Sequence, residues 1–196
     1  KRALINQREI GIDVESFDIA LRSLPREDPD VVLIGEMRDP VTFQAAMQVA
    51  ETGHLVFGTV HASSAWQTVV RILDLFPPEI RPQIRQSLAF NLRAIICQML
   101  LPSVKEEVDR VPALDMMLNN PTVRQLIMEE RDQELAEVIK AHQKDGMRTF
   151  TQSLLELIDN ELIDPKVAYE AAPNVDELKM QMKGISAGRG GLIGRG

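Results

Sequence analysis

A strand, a helix and a second strand follow one another early in this chain, and this pattern constrains the fold more than any other feature. Residues 31–34 and 55–60 are short apolar runs, typical of parallel strands buried on both faces. Between them, Asp39 can cap a helix and Pro40 suits its first position, which predicts a helix from about 40 to 52. The sequence therefore predicts an α/β fold containing a βαβ unit, with parallel strands and a right-handed crossover.

Two polar side chains follow the predicted strands, Glu36 after the first and His61 after the second. Because the carboxyl ends of parallel strands share one edge of the sheet, where α/β sheets bind ligands, we expect these side chains to meet. A carboxylate there can hold the water shell of Mg²⁺ or orient an attacking water, and an imidazole can hydrogen-bond a terminal phosphate oxygen. Taken singly, each residue is more often structural, so the pair carries the prediction.

The other half of a nucleoside-triphosphate site is missing from the sequence. A phosphate loop of the form G-x-x-x-x-G-K-[ST] does not occur in it, and neither does Gly-Lys. What the Glu36 and His61 pair means therefore depends on whether the chain is complete, and we expect the chain to be inactive alone, because nothing in it can cradle a β-phosphate.

Several motifs resemble those of a single family. GEMRD at 35–39 and AETGHLVFGTVHASSA at 50–65 resemble the Walker B and His boxes of the secretion-type ATPases, specifically the PilT family of twitching-motility retraction ATPases. INQREIG at 5–11 resembles the stretch that follows the family's acidic Asp box. PTVRQLI at 121–127 resembles the retraction enzymes' Ala-Ile-Arg motif, and residues 146–163 resemble their C-terminal helical region. These motifs occur in the family's own order.

The resemblance implies a fold, an activity and a setting. The fold is an α/β, RecA-like (P-loop NTPase) motor domain lacking its N-terminal portion, followed by a small α-helical bundle. The activity is ATP hydrolysis with Mg²⁺ in a homo-hexamer that powers type IV pilus retraction. The implied partner is the inner-membrane pilus platform protein, and the implied location is cytoplasmic and peripheral to the inner membrane, without membrane insertion or nucleic-acid binding.

The resemblance also assigns roles to individual residues. Glu36 stands at the Walker B glutamate, which is catalytic and holds Mg²⁺ through water, and His61 stands at the His-box histidine near the γ-phosphate. Gly35, Glu36 and His61 are the implied nucleotide-binding set. Arg124 stands at the arginine of the Ala-Ile-Arg motif, which in the family serves retraction rather than nucleotide binding. The family's phosphate loop and Asp-box glutamate would lie upstream of Lys1.

The sequence departs from the family pattern at a few positions. Thr122 and Val123 replace Ala-Ile, and the His box reads His-Ala-Ser-Ser where the family has His-Thr. These departures leave open whether the chain is a main retraction motor, an accessory paralogue or a relative in another pilus system. Pro25 is expected to end a helix of about 16–24 early.

The predicted domain organisation has three parts. Residues 1–118 form the C-terminal portion of the motor domain, including a helix over 65–74, a strand over 93–101 and a last strand beginning near 111. Residues 119–183 form the helical subdomain. Residues 184–196, rich in glycine, form a flexible tail. The helices expected in the subdomain lie near 121–130, 132–142, 148–160 and 165–172.

Composition separates the remaining alternatives. A single cysteine, Cys97, cannot build the four-cysteine zinc site typical of extension-type pilus ATPases, which favours retraction. A nucleic-acid motor of RecA-like fold is the first rival, but a net charge of −7 and 4% aromatic residues argue against it. A non-catalytic, ATPase-like interaction module is the second rival.

Overall fold

The computed structural model describes residues 3–184, which form two compact units. The first unit contains the described residues up to Ala62, together with Gln67–Arg93 and Arg124–Asp132. The second contains Ser63–Trp66, Ala94–Val123 and the described residues from Gln133 onward. None of the helices within residues 3–184 is long and apolar enough to cross a membrane. The predicted tail lies outside the described residues except for Gly184, and the domain boundary at 118 stays a prediction.

The helices and strands follow the sequence pattern closely. In chain order they are α1 (Phe17–Glu27), β1 (Val31–Ile34), α2 (Pro40–Glu51), β2 (Leu55–Gly58), α3 (Ala65–Asp74), α4 (Arg81–Asn91), β3 (Ala94–Pro102), β4 (Arg110–Leu118), α5 (Pro121–Met128), α6 (Leu135–Ala141), α7 (Phe150–Asp159), α8 (Pro165–Ala171) and α9 (Val175–Met182).

The first unit contains the predicted βαβ arrangement. β1 and β2 pair in parallel, with Val31 opposite Leu55 and Ile34 opposite Gly58. α2 connects them and begins at Pro40, as the cap and proline signals predict. The parallel pairing and the crossover helix are therefore confirmed.

Only one face of this strand pair is covered in the described residues, so the expected burial on both faces is wrong here. α1 and α2 pack over one face, where Val32 and Ile34 join a core with side chains from both helices. Successive side chains of a strand point to opposite faces. Val31 and Leu33, on the other face, are 53% and 73% exposed.

α1 continues beyond the position where the sequence predicts its end. The helix passes through residue 25 and reaches Glu27, and the chain leaves it at Asp28 with a left-handed backbone of φ 51°. Proline removes one helical hydrogen bond, but its fixed φ near −65° is itself helical, so the last turn forms after it. The early end expected at Pro25 is therefore wrong.

The second unit combines an antiparallel hairpin with helices. β3 and β4 pair along their whole lengths, from Ala94 opposite Leu118 to Pro102 opposite Arg110. α7 packs on β4. The core of the unit is formed by buried apolar side chains of the hairpin, α7, α8, α9 and the segment between α7 and α8, namely Leu101, Val111, Ala113, Phe150, Leu154, Ile163, Ala168 and Leu178.

One acidic side chain lies inside this unit. Asp115 of β4 is 5% exposed, and its Oδ2 accepts a hydrogen bond of 3.1 Å from the N–H of Ala65, the first residue of α3. Within the described residues, its Oδ1 is buried and has no hydrogen-bond partner. Burial raises the pKa of Asp115, and the hydrogen bond from Ala65 only partly opposes this rise. Asp115 thus anchors the start of α3, but the burial of its negative charge opposes folding.

We predict that Asp115→Asn stabilises the protein at neutral pH and that this advantage shrinks as the pH falls. A carboxyl whose pKa is raised on folding binds its proton more tightly in the folded state, so its charge opposes folding above the unfolded pKa and stops doing so on protonation. Asparagine keeps an oxygen for the Ala65 N–H without the charge. Chemical unfolding of both proteins at about pH 7.5 and about pH 4.5 measures the difference. The exposed control Asp109→Asn should show none, and a constant loss of stability in Asp115→Asn would contradict the account.

Candidate functional site

The two predicted functional side chains meet at the carboxyl edge of the parallel strand pair. Glu36 is separated from the end of β1 by Gly35, and His61 is separated from the end of β2 by Thr59 and Val60. Nε2 of His61 lies 3.2 Å from Oε1 of Glu36. The structure therefore brings together the pair that the strand register predicted.

Hydrogen bonds tie the loops carrying these side chains to each other. The N–H of Met37 donates to the carbonyl of Thr59 at 3.0 Å, which continues the strand pairing into the loops. The hydroxyl of Thr59 donates to the carbonyl of Gly35. Both loops are thus held by their backbones, so the meeting of Glu36 and His61 does not depend on side-chain packing alone.

Arg38 is a site residue that the sequence reasoning missed. Its guanidinium binds both carboxylate oxygens of Glu36 in a bidentate ion pair, with Nε 2.5 Å from Oε1 and Nη2 2.5 Å from Oε2. The hydrogen bond from Arg38 lowers the pKa of Glu36, and the charges of Arg38 and His61 add to this effect. Glu36 is therefore an ionised, acceptor-only group at neutral pH. The Arg38 side chain is 76% exposed, so the pair orients Glu36 more than it stabilises the fold.

The surroundings of the pair are open and suit a ligand that arrives with its own metal. His61 is 89% exposed at the side chain and Glu36 is 27% exposed. Apart from Gly35 itself and its two chain neighbours, nothing within residues 3–184 lies within 4 Å of the point where a Cβ on Gly35 would stand. No group of three or more His, Cys, Asp or Glu residues in this range could hold a metal unaided. One ionised carboxylate beside open space matches Mg²⁺, which keeps most of its waters and is bound with substrate phosphates.

α2 is anchored directly behind the Glu36 loop by its N-cap. Oδ1 of Asp39 accepts from the N–H of Thr42 at 2.9 Å, and Oδ2 accepts from the Thr42 hydroxyl at 2.8 Å. The backbone hydrogen bond from Thr42, followed by that from its hydroxyl, lowers the pKa of Asp39. The loop that begins at Gly35 therefore ends at this cap, where α2 begins.

His54 has a structural role at the end of α2. Its Nδ1 lies 3.1 Å from the carbonyl of Val49 and 3.0 Å from the hydroxyl of Thr52, at the end of α2 and before β2. These contacts close the turn between the helix and the strand. His54 therefore belongs to the scaffold of the unit.

The structure places Arg124, the remaining predicted residue, on α5. Its guanidinium carbon lies 5.6 Å from the centre of the Phe90 ring at the end of α4, in a cation–π contact. Its Nε is buried and has no hydrogen-bond partner within the described residues. This environment belongs to the packing of α4 and α5, which is consistent with a role apart from the Glu36 edge.

Comparison with known proteins gives these residues a family context. A family model described as Type II/IV secretion system protein matches residues 5–163. A twitching motility protein of Neisseria gonorrhoeae is 44% identical over 178 residues, which cover 91% of this chain and 47% of that protein. The type IV pilus retraction ATPase PilT of Pseudomonas aeruginosa is 41% identical over 172 residues, which cover 88% of this chain and 49% of that protein. The chain thus spans about half the length of the curated relatives it matches.

A solved structure shows the same fold. The crystal structure of the pilus retraction motor PilT with bound ADP superposes with a TM-score of 0.79 and is 42% identical in sequence, over 89% of this chain and 48% of that one. The predicted resemblance to the retraction ATPases and the predicted α/β, RecA-like fold class with its accompanying helices are therefore confirmed.

We predict that Asp39→Ala destabilises the protein by about 1 kcal/mol, because the N–H and hydroxyl of Thr42 lose their acceptor. Asp39→Asn is the matched control, since its amide oxygen still accepts from the Thr42 N–H. The free energy of unfolding, from denaturant titration at neutral pH, should fall clearly for alanine and little for asparagine. Equal values for all three proteins would show that the cap does not anchor α2.

Proposed function

Because the chain belongs to the Type II/IV secretion system protein family, we propose that it is part of an ATP-hydrolysing motor for type IV pilus retraction. One observation supports this most strongly: Glu36, ionised and oriented by Arg38, meets His61 at the carboxyl edge of two parallel strands. That edge is where α/β folds place nucleotide phosphates. The relative with bound ADP is named a pilus retraction motor, which supports both the ligand and the task.

Each residue of the proposed site has a distinct task. Glu36 accepts a hydrogen bond from the attacking water and from water around Mg²⁺, and its lowered pKa keeps it ready to accept. His61 donates a hydrogen bond to a terminal phosphate oxygen, for which its exposed ring is free to turn. Gly35 leaves open space for the phosphates beside the backbone. Bound ATP with Mg²⁺ supplies the phosphoanhydride bond whose hydrolysis drives the motor.

The setting of the motor is proposed from the same family membership. We propose a homo-hexamer at the cytoplasmic face of the inner membrane, acting on the pilus platform protein, with Arg124 in the retraction motif. Residues 1–118 belong to the ATPase domain and residues 119–183 to its helical subdomain. The net charge of −7 supports a protein partner over nucleic acid.

We predict that Glu36→Gln in the full-length protein leaves nucleotide binding intact and lowers turnover by about 100-fold or more, because a neutral amide cannot orient the water as a carboxylate does. His61→Ala should lower turnover as well, by loss of a phosphate contact. Binding of a fluorescent ATP analogue and steady-state phosphate release measure the two effects separately.

The control for both variants is Glu79→Gln, an exposed glutamate in the turn before α4. It removes one negative charge from the same unit and should leave turnover unchanged. Normal ATP turnover by Glu36→Gln would remove the catalytic assignment.

We also predict that the isolated 196-residue chain does not hydrolyse ATP, because its sequence holds no phosphate loop to bind the β-phosphate. The purified chain should show no Mg²⁺-dependent phosphate release above that of its own Glu36→Gln variant. Turnover that requires Glu36 in this chain would contradict the prediction.

A further inference from the structure

A largely buried arginine of α4 binds the end of α5 and the segment that follows it. Nη1 and Nη2 of Arg85 lie 2.7 Å from Oδ1 and Oδ2 of Asp132, in a two-point ion pair. Nη1 also donates to the carbonyl of Ile127 at 3.0 Å. The side chains of Arg85 and Asp132 are only 14% and 10% exposed. The contact is therefore shielded from solvent, unlike the other arginine of α4 in an ion pair, Arg81, which is 38% exposed at the side chain.

These bonds act on the terminus of a helix. Ile127 lies in the last turn of α5, where backbone carbonyls lack partners within the helix. Asp132 lies just beyond the helix, so Arg85 binds both the final turn and the segment that leaves it. A guanidinium presents its donors in a rigid plane and can serve the carboxylate and the carbonyl together, whereas an ammonium is a point charge on a flexible stem.

The same helix carries Arg124. Its guanidinium rests on Phe90, which is on α4 near the helix end opposite Arg81. Two residues of α4, Arg85 and Phe90, thus contact α5 and the segment after it, and the contact through Arg85 is charged and largely shielded from solvent.

We propose that Arg85 is a positioning residue, which through its bonds to Ile127 and Asp132 sets the orientation of α5 so that Arg124 can couple ATP hydrolysis to pilus retraction. The inference rests on the proposed function, in which Arg124 serves retraction. It goes further, because it assigns the coupling to a largely buried pair that does not contact Glu36 or His61.

The test compares variants that separate positioning from stability. Arg85→Met alone leaves the charge of Asp132 buried and unpaired, and should lower the thermal unfolding temperature. Arg85→Met combined with Asp132→Val removes both charges and should restore that temperature, because paired apolar residues can replace a buried ion pair without loss. A merely structural role predicts that retraction returns together with stability.

We expect retraction not to return in the double variant. In the full-length protein, ATP turnover should stay within about twofold of wild type, while twitching by a deletion strain carrying the variant should fall about tenfold. Hydrogen exchange of the amides in 121–131 should speed up. Arg85→Lys keeps a positive charge beside Asp132, and it should also keep ATP turnover while twitching falls. Arg81→Met, on the same helix, is the control and should leave both unchanged.

Normal retraction in the double variant or in Arg85→Lys, with α5 protected as in wild type, would overturn the inference. The proposed function is tested separately by Arg124→Ala. If that variant loses retraction while the Arg85 variants retract normally, the inference alone fails. If Arg124→Ala retracts normally, the retraction role of Arg124 and the inference fail together.

Discussion

The parallel pairing of two four-residue strands determines where the proposed chemistry of this chain lies. Parallel strands end at the same edge, so the residues that follow β1 and β2 are brought together whatever the rest of the sheet contains. The pairing continues into the loops through the hydrogen bond from Met37 to Thr59, which ties the two loops to each other. The meeting of Glu36 and His61 is the direct consequence of this register.

An ion pair and a helix cap then act on the loop that follows β1. Arg38 holds Glu36 by both carboxylate oxygens and keeps it ionised, while Asp39 anchors α2 directly after the same loop. The Arg38 ion pair is exposed, so its effect is to limit the orientations of Glu36 rather than to stabilise the fold. The Asp39 cap is partly buried against Thr42 and stabilises the start of α2. The Arg85 and Asp132 pair, in contrast, is largely shielded from solvent, and we propose that it orients α5.

Much of this arrangement could be predicted from the sequence, because local signals and tertiary structure agree. Asp39 followed by Pro40 marks the start of α2, and the strand pattern places Glu36 and His61 together. Arg38 was missed because its partner lies two residues away in a loop, where no periodicity applies. α9 was also missed, although Asn174 caps it and acidic residues fill its first turn, since it is short and Leu178 is its only buried residue. The end of α1 was placed too early because the fixed φ of proline is itself compatible with a helix, so Pro25 does not stop it.

The central claim is that the Glu36 and His61 edge is one half of an ATP site. A crystal structure of the full-length protein with Mg²⁺ and a non-hydrolysable ATP analogue tests it most directly. The account predicts density for the terminal phosphate beside His61, for Mg²⁺ joined to Glu36 through water, and for a phosphate loop from upstream residues closing the other side. Nucleotide bound away from this edge, with Glu36 and His61 contacting neither phosphate nor metal-bound water, would contradict it.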